Sequence, residues 1–268
     1  MNNLRTKSGL FRITNSINDN FLNNIKQIQA WFLGLMAADG CVSKKNQFSI
    51  SQSGDCGKDL IYYLKDILNF NGPIYETVTM SGKISYGLFA TSERLVARMK
   101  EFGIVNNKSL KYDYPNISNK MNKSFIRGYF EGDGSIGIYK VGNTKKYLII
   151  SFVGKNEFCE KVSEISPVKP KIRLHSCGTV WEARWSGKKA IDFGRWLYSE
   201  TNLFEGKKYN IFKEYENTYK KRFEEYIPIR KEVLKLLDKG VSPMLIAKKF
   251  NLPFQTIYKW RQSAAKRT

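Results

Sequence analysis

Histidine is nearly missing from this chain: His175 is the only one among 268 residues. A Ser-His-Asp hydrolase, or a nuclease built on a histidine base, is a poor fit, because imidazole is the side chain that titrates near neutral pH and most often carries such chemistry. Cysteine is sparse too. Cys41, Cys56, Cys159 and Cys177 show no C-x-x-C spacing, which argues against structural zinc. No apolar run is long enough to span a bilayer, and the opening stretch MNNLRTKSGLFRITNSIND has no apolar core of a signal peptide. The expectation is an intracellular protein, in a bacterial or phage-infected cytoplasm or an organelle matrix, with no membrane partner. Acidic residues are the last shortage. Against 45 Lys and Arg stand 24 Asp and Glu, a net charge of +21 spread along the chain, and such a field favours polyanions. Chemistry, if present, rests on carboxylates, lysines and metal.

What is present is a repetition. FLGLMAADG at 32 to 40 and IRGYFEGDG at 126 to 134 are both apolar, small-residue helix patterns that stop at Asp-Gly. Small residues fall four apart in each, Gly34 with Ala38 and Gly128 with Gly132, and so share one helix face. Two such faces can pack backbone to backbone, which would bring Asp39 and Asp133 together. Carboxylates at helix C-termini meet the negative end of the helix dipole and repel each other, so a cation belongs between them. Mg²⁺ suits such a site, because it uses one or two carboxylates plus water and phosphate oxygens. Either motif alone reads as an ordinary helix stop, with Gly supplying a left-handed C-cap; the pair points to a duplicated unit.

The halves keep step beyond the motifs. After Asp39 come a strand-like NQFSISQSG, a helical DLIYYLKDIL, the strands IYETVTM and ISYGLFA around Ser81-Gly82, and a helical ERLVARMKEFGI. After Asp133 come KYLIISFVG, EFCEKVSEIS, then PKIRLHS and TVWEARWS around Cys177-Gly178, and KKAIDFGRWLY. Each half reads as helix, hairpin, helix, hairpin, helix, and the aspartates stand 94 residues apart. In the second copy, alternation puts Lys169, Lys171 and Arg173 on one face and Pro170, Ile172 and Leu174 on the other. Along the next strand Trp181, Ala183 and Trp185 face inward, with Glu182, Arg184 and Ser186 outward. A sheet face this basic suits phosphates.

The segment from about 227 has ten Lys or Arg against Glu232 and Asp238. IRKEVLKLLDK ends at Gly240, Ser242-Pro243 opens a helix through MLIAKKF, and Asn251-Leu252-Pro253 leads into FQTIYKWRQ: the outline of a helix-turn-helix. On the last helix Ile257 and Trp260 would face a small core, leaving Gln255, Thr256, Lys259 and Arg261 to contact DNA.

Over roughly residues 30 to 222 these motifs resemble the LAGLIDADG homing endonucleases of the single-chain, two-motif kind. The resemblance implies an α+β fold of two pseudo-twofold-related αββαββα units with saddle-shaped antiparallel sheets over the DNA major groove. The domains expected are an extension over 1–29, units over 30–117 and 118–222, and an all-α helix-turn-helix over 223–268. It implies a monomeric, Mg²⁺-dependent enzyme, with Mn²⁺ or Ca²⁺ as substitutes, that cuts both strands of a long asymmetric DNA site across the minor groove. Metal ligands carried over are Asp39 and Asp133, with Ala38 and Gly132 offering backbone carbonyls, and the helix interface is Gly34, Ala38, Gly128 and Gly132. The lysine near each cut matches Lys108 and Lys208, with Lys207 a rival for the second; Asp55 and Lys155 fall at other polar positions of the centre. The earlier acidic position of the motif departs in the first copy, Ala37, and is Glu131 in the second. A non-catalytic regulator joining such a domain to a helix-turn-helix is an alternative, although both acids persist here. An RNA-splicing maturase is another, RNA binding being the less favoured reading. An intein is disfavoured by Met1 and by an AAKRT end without His-Asn, leaving an intron-encoded or free-standing enzyme as the expected context.

Overall fold

A computed structural model of the protein describes residues 4–5, 11–12, 15–108, 111–141, 145–200 and 202–265. The chain divides into two compact units, Met1–Phe212 and Lys213–Thr268. In the first unit a short hairpin, β1 (Leu4–Arg5) and β2 (Phe11–Arg12), precedes two runs of the same order. The first is α1 (Gln27–Ala38), β3 (Cys41–Val42), β4 (Gln47–Ser53), α2 (Asp55–Ile67), β5 (Tyr75–Val78), β6 (Ile84–Thr91) and α3 (Glu93–Glu101). The second follows one 3₁₀ turn: α4 (Asn122–Asp133), β7 (Ser135–Val141), β8 (Lys145–Gly154), α5 (Asn156–Ile165), β9 (Lys171–Leu174), β10 (Trp181–Ser186) and α6 (Lys188–Leu197). Helix α7 (Lys207–Asp238) begins in this unit. The sheets are antiparallel, in orders β3-β4-β6-β5 and β7-β8-β10-β9. This is the α+β fold with two αββαββα copies.

Helices α1 and α4 form the seam. From Ala30 to Ala37 every residue of α1 is buried, because the helix packs on α4 and Phe32 meets Phe21 and Phe48 of β4. The glycines set the spacing. A Cβ on Gly34 would stand 2.0 Å from the Phe125 carbonyl oxygen and 2.7 Å from Tyr129 N; one on Gly128 would stand 1.8 Å from the Trp31 oxygen and 3.0 Å from Leu35 N. Phe125 and Tyr129 occupy in the second copy the places of Trp31 and Leu35 in the first, so the contact is reciprocal. Further along, Gly132 meets the Ala38 methyl, leaving 2.5 Å for a Cβ.

The reading of Gly40 and Gly134 as left-handed caps is corrected. Neither has a positive φ, and Gly134 is extended at φ −72° and ψ 149°. Glycine is required there by space: a Cβ would lie 2.7 Å from Met36 O at Gly40 and 2.2 Å from Phe130 O at Gly134. The chain thus turns sharply back into its sheet and keeps each aspartate at the seam.

Residues 15–26, expected only as an extension, close over the first copy. Asn18 N–H donates to Leu68 O (2.8 Å), Ser16 N–H to Asn71 Oδ1 (2.7 Å), and Phe21 and Leu22 are buried. None of Cys41, Cys56, Cys159 and Cys177 is paired, and among the described residues no helix is long and apolar enough to cross a membrane.

In the second unit α7 runs on to Asp238, α8 spans Pro243–Lys249 and α9 Phe254–Ala265. Val233, Ile246 and Ile257 form its core, flanked by Leu236, Leu237, Ala247, Phe250 and Trp260. Gly240, at φ +77°, ends α7 with a hydrogen bond from Val241 N–H to Leu236 O (3.0 Å). Pro228 lies inside α7, at the cost of one helix N–H.

Gly34→Ala and Gly128→Ala should each lose about 3 kcal/mol or more, since the added methyl meets backbone that cannot yield. Urea unfolding of the variants beside Gly87→Ala, where the nearest atoms to a Cβ lie at ordinary contact distances of 3.7 Å and more, measures it.

Candidate active site

The sharp turns at Gly40 and Gly134 leave Asp39 as the C-cap of α1 and Asp133 as the last residue of α4. Both face one centre, together with Lys108 and Lys208, which feel the charge of both aspartates. Lys108 comes from the connection between α3 and α4 and is 5% exposed; its ammonium donates to Gly40 O. Lys208 comes from the first turn of α7 and donates to the carbonyls of Phe130 (2.9 Å), Glu131 (2.6 Å) and Gly132 (2.7 Å). Lys207 is exposed, so of the two rivals Lys208 stands in the centre.

Charge and burial oppose each other here. Burial raises the pKa of Asp39, against the Gln52 hydrogen bond and the two lysines. Burial and the charge of Asp39 raise that of Asp133, against the Tyr129 hydroxyl beside it and the same lysines. Burial lowers both lysines, and the carboxylates pull them back. Glu131 is pushed upward by burial and by Asp39, with Lys208 and Arg127 opposing. The centre therefore holds carboxylates in an environment that disfavours their charge.

Three further participants go beyond the sequence expectations. Gln52 on β4 donates to Asp39 Oδ2; only the strand register, which aims it at the helix end, identifies it. Tyr129 lies one helical turn before Asp133 and reaches Val153 O (3.2 Å), a spacing that would have found it. Arg127, the one charge inside the apolar run FIRGYF, is fully buried and binds the carbonyls of Glu200, Leu203 (3.3 Å) and Phe204 (2.8 Å). Asp55 is exposed at the start of α2, and Lys155 caps α5 and pairs with Asp113 (2.5 Å).

The carbonyl of Gly132, expected as a metal ligand, accepts from Lys208; that of Ala38 lies in the last turn of α1. Among the described residues no cluster of three or more His, Cys, Asp or Glu could hold a metal. Two converging carboxylates with carbonyl oxygens nearby fit Mg²⁺, which keeps several waters and completes its shell with phosphate, better than a soft or fully caged ion.

The sheet faces differ from the expected alternation. Lys169 precedes β9, and its ammonium caps the end of α5 at Ser163 O (2.7 Å). The apolar face stops short of Leu174, which is 52% exposed. Lys171, Arg173 and Arg184 do share the outer face, but around Glu182, which is 3% exposed: Arg173 Nε lies 2.8 Å from one carboxylate oxygen and Arg184 NH2 2.8 Å from the other. The first sheet carries no such charge. Gln47, Ser49, Ser51 and Ser53 of β4 lie opposite Thr91, Phe89, Gly87 and Ser85 of β6, an outer face of hydroxyl, amide and aromatic groups. In the second unit Gln255, Lys259 and Arg261 are exposed along α9, whereas Thr256 is half-buried where the helix begins.

No protein-family model and no curated protein matches the chain. Solved structures do. The fold is similar to the I-LtrWI LAGLIDADG homing endonuclease bound to target DNA, at 14% identity over 76% of this chain and 91% of that one, with a TM-score of 0.50. It is similar to the LAGLIDADG meganuclease I-AabMI bound to uncleaved DNA, at 12% identity over 74% and 92%, with a TM-score of 0.51. A double mutant of I-SmaMI aligns at 13% identity over 80% of this chain and 99% of its own, with a TM-score of 0.50. These likenesses define the fold as the two-copy LAGLIDADG architecture.

Because both aspartates are raised, the folded state binds more protons than the unfolded one between the ordinary carboxylate range and the raised values, and stability falls as pH climbs through that window. Without divalent metal at pH 7, Asp133→Asn should raise the melting temperature by a few degrees, and the gain should vanish near pH 4. Mg²⁺ should stabilise the parent chain and not the Asp39→Asn/Asp133→Asn double variant; calorimetry across pH and metal checks both.

Proposed function

We propose that the protein is a site-specific endonuclease of double-stranded DNA that hydrolyses one phosphodiester in each strand. The observation that carries this reading is the convergence of Asp39, Asp133, Lys108 and Lys208 on the seam between two duplicated halves. Paired centres suit paired strands. The DNA-bound state of two structural neighbours supports the same substrate, and a net charge of +21 supplies attraction to phosphate.

The chain's own groups have distinct tasks in this reading. In hydrolysis a water oxygen bonds to phosphorus, the bond to one deoxyribose oxygen breaks, and that oxygen leaves with the electron pair and takes up a proton. Asp39 and Asp133 would hold divalent metal, Gln52 orients Asp39 through its hydrogen bond, and Tyr129 flanks Asp133. Lys108 and Lys208 place positive charge where phosphoryl oxygens gain negative charge. A Mg²⁺ ion held by the two aspartates would supply Lewis acidity and water activation. No histidine is needed.

Lys171, Arg173 and Arg184 of the second sheet, with the hydroxyl and amide face of the first, form the DNA-reading surface. The C-terminal helices add a helix-turn-helix contact through Gln255, Lys259 and Arg261. A monomer covers an asymmetric site, because its halves present different faces.

Incubation with a randomised duplex library in Mg²⁺, with sequencing of cleaved ends, tests the activity. Asp39→Asn or Asp133→Asn should reduce cleavage by at least about 100-fold while duplex binding in a mobility shift persists; retained cutting by either variant would overturn the assigned roles. Replacing Lys259 and Arg261 by alanine should weaken binding and reduce the slope of log K against log salt by about 1 for each phosphate left without its cationic side chain. An unchanged slope would remove the C-terminal helices from the interface.

A further inference from the structure

On the outer face of the second sheet a carboxylate is buried among guanidinium groups. Ala183 and Trp185 turn to the core, which leaves Glu182 and Arg184 on the other side of β10, opposite Arg173 and Lys171 of β9. Arg173 Nε donates to Glu182 Oε2 (2.8 Å), and Arg184 donates to Oε1 through Nε (2.9 Å) and a terminal nitrogen (2.8 Å). Glu182 is 3% exposed, while the arginine side chains remain 48% and 35% exposed. Burial works against the charge of Glu182; the hydrogen bonds from Arg173 and Arg184 outweigh it, and the carboxyl stays below its ordinary range.

A carboxylate is out of place on a surface that only holds phosphate. It repels the polyanion and cancels one of the two arginine charges. What it adds is orientation. A guanidinium is rigid and planar, so a hydrogen bond at Nε fixes its plane and gives the terminal amino groups one heading. Paired donors with a fixed heading fit one base edge. In the major groove guanine offers two neighbouring acceptors, O6 and N7; adenine sets an amino donor beside N7, cytosine an amino donor, and thymine a methyl group beside its oxygen. Arg173 suits this role, because it meets the carboxylate through Nε and is the more exposed of the two. Arg184 gives both Nε and a terminal nitrogen to Glu182. Lys171, a point charge on a flexible stem, suits a phosphate. The first sheet is furnished differently: its outer face has Ser85, Gly87 and Phe89 on β6, with Tyr75 opposite Gly87.

We infer that Arg173, held in place by Glu182, reads a guanine in the major groove of the half-site under the second sheet. Arg173 determines specificity there, and Glu182 is its positioning residue. The inference rests on the reading of the chain as a site-specific enzyme of duplex DNA. It adds which base one side chain selects and why a carboxylate stands on a basic face.

The test is a binding selection with the full-length chain and a pool of randomised duplexes, without divalent metal, in which the shifted duplexes are sequenced. The parent should prefer guanine at one position by about tenfold or more over the other bases. Arg173→Lys and Glu182→Gln should both lose that preference at that position and keep the others, and Glu182→Gln should bind unselected duplexes no more weakly than the parent, since it removes a negative charge. Lys171→Ala should weaken binding and leave the selected sequence unchanged. The parent on duplexes with 7-deazaguanine, which lacks the N7 acceptor, at each selected guanine in turn should lose at least about fivefold at one of them. That comparison needs no variant to fold, and equal binding to every such duplex overturns the inference. A preference kept by Arg173→Lys overturns the assignment to Arg173. One lost in Arg173→Lys but kept by Glu182→Gln, or affinity in Glu182→Gln lowered equally for all sequences, overturns the positioning role. Selection without guanine by a parent that still cuts in Mg²⁺ overturns the inference alone; a parent that neither selects nor cuts overturns the endonuclease reading as well.

Discussion

Where Gly34 meets the Phe125 carbonyl and Gly128 meets that of Trp31, no side chain separates the helices. Everything at the centre depends on that distance. Helices kept apart by larger side chains would carry Asp39 and Asp133 away from each other, and a cation could then satisfy only one. The reciprocity of the contact also fixes the register, since sliding α1 along α4 would drive a backbone carbonyl into a neighbouring side chain at both glycines at once.

Close packing gathers charge as well as backbone. Two aspartates, two lysines, Glu131 and Arg127 lie near a seam that is otherwise apolar. Burial of isolated charges would be costly, but opposite charges alternate here and backbone carbonyls accept from both lysines and the arginine. Asp39 has the Gln52 amide and both lysines about it, and Asp133 the Tyr129 hydroxyl and the same two lysines.

Much of this arrangement is legible in the chain. Repeated motifs, apolar alternation and turn residues give the order of elements, and the small-residue spacing brings Asp39 to Asp133, because all of these are local patterns of period two or 3.6. What lies beyond them depends on registers between distant strands. That Arg173 and Arg184 share Glu182, or that Gln52 points at Asp39, follows from pairings that no single segment specifies. Lys169 departs from the expected face for a simpler reason: Pro170 delays the start of β9, so the alternation begins two residues later than the side-chain pattern implies. Arg127 is hard to single out because its neighbours on α4 are apolar; its partners are carbonyls more than 70 residues away.

Lys108 sits on the stretch that leads from α3 into α4, outside both repeats, whereas Lys208 opens a helix after the second. The link between the copies is therefore part of the centre and not a passive spacer. Two separate polypeptides made by cutting the chain before residue 108 would hand the first copy's lysine to the second copy. The duplicated halves repeat one order of helices and strands, yet the side chains that meet at the seam belong to a single continuous chain.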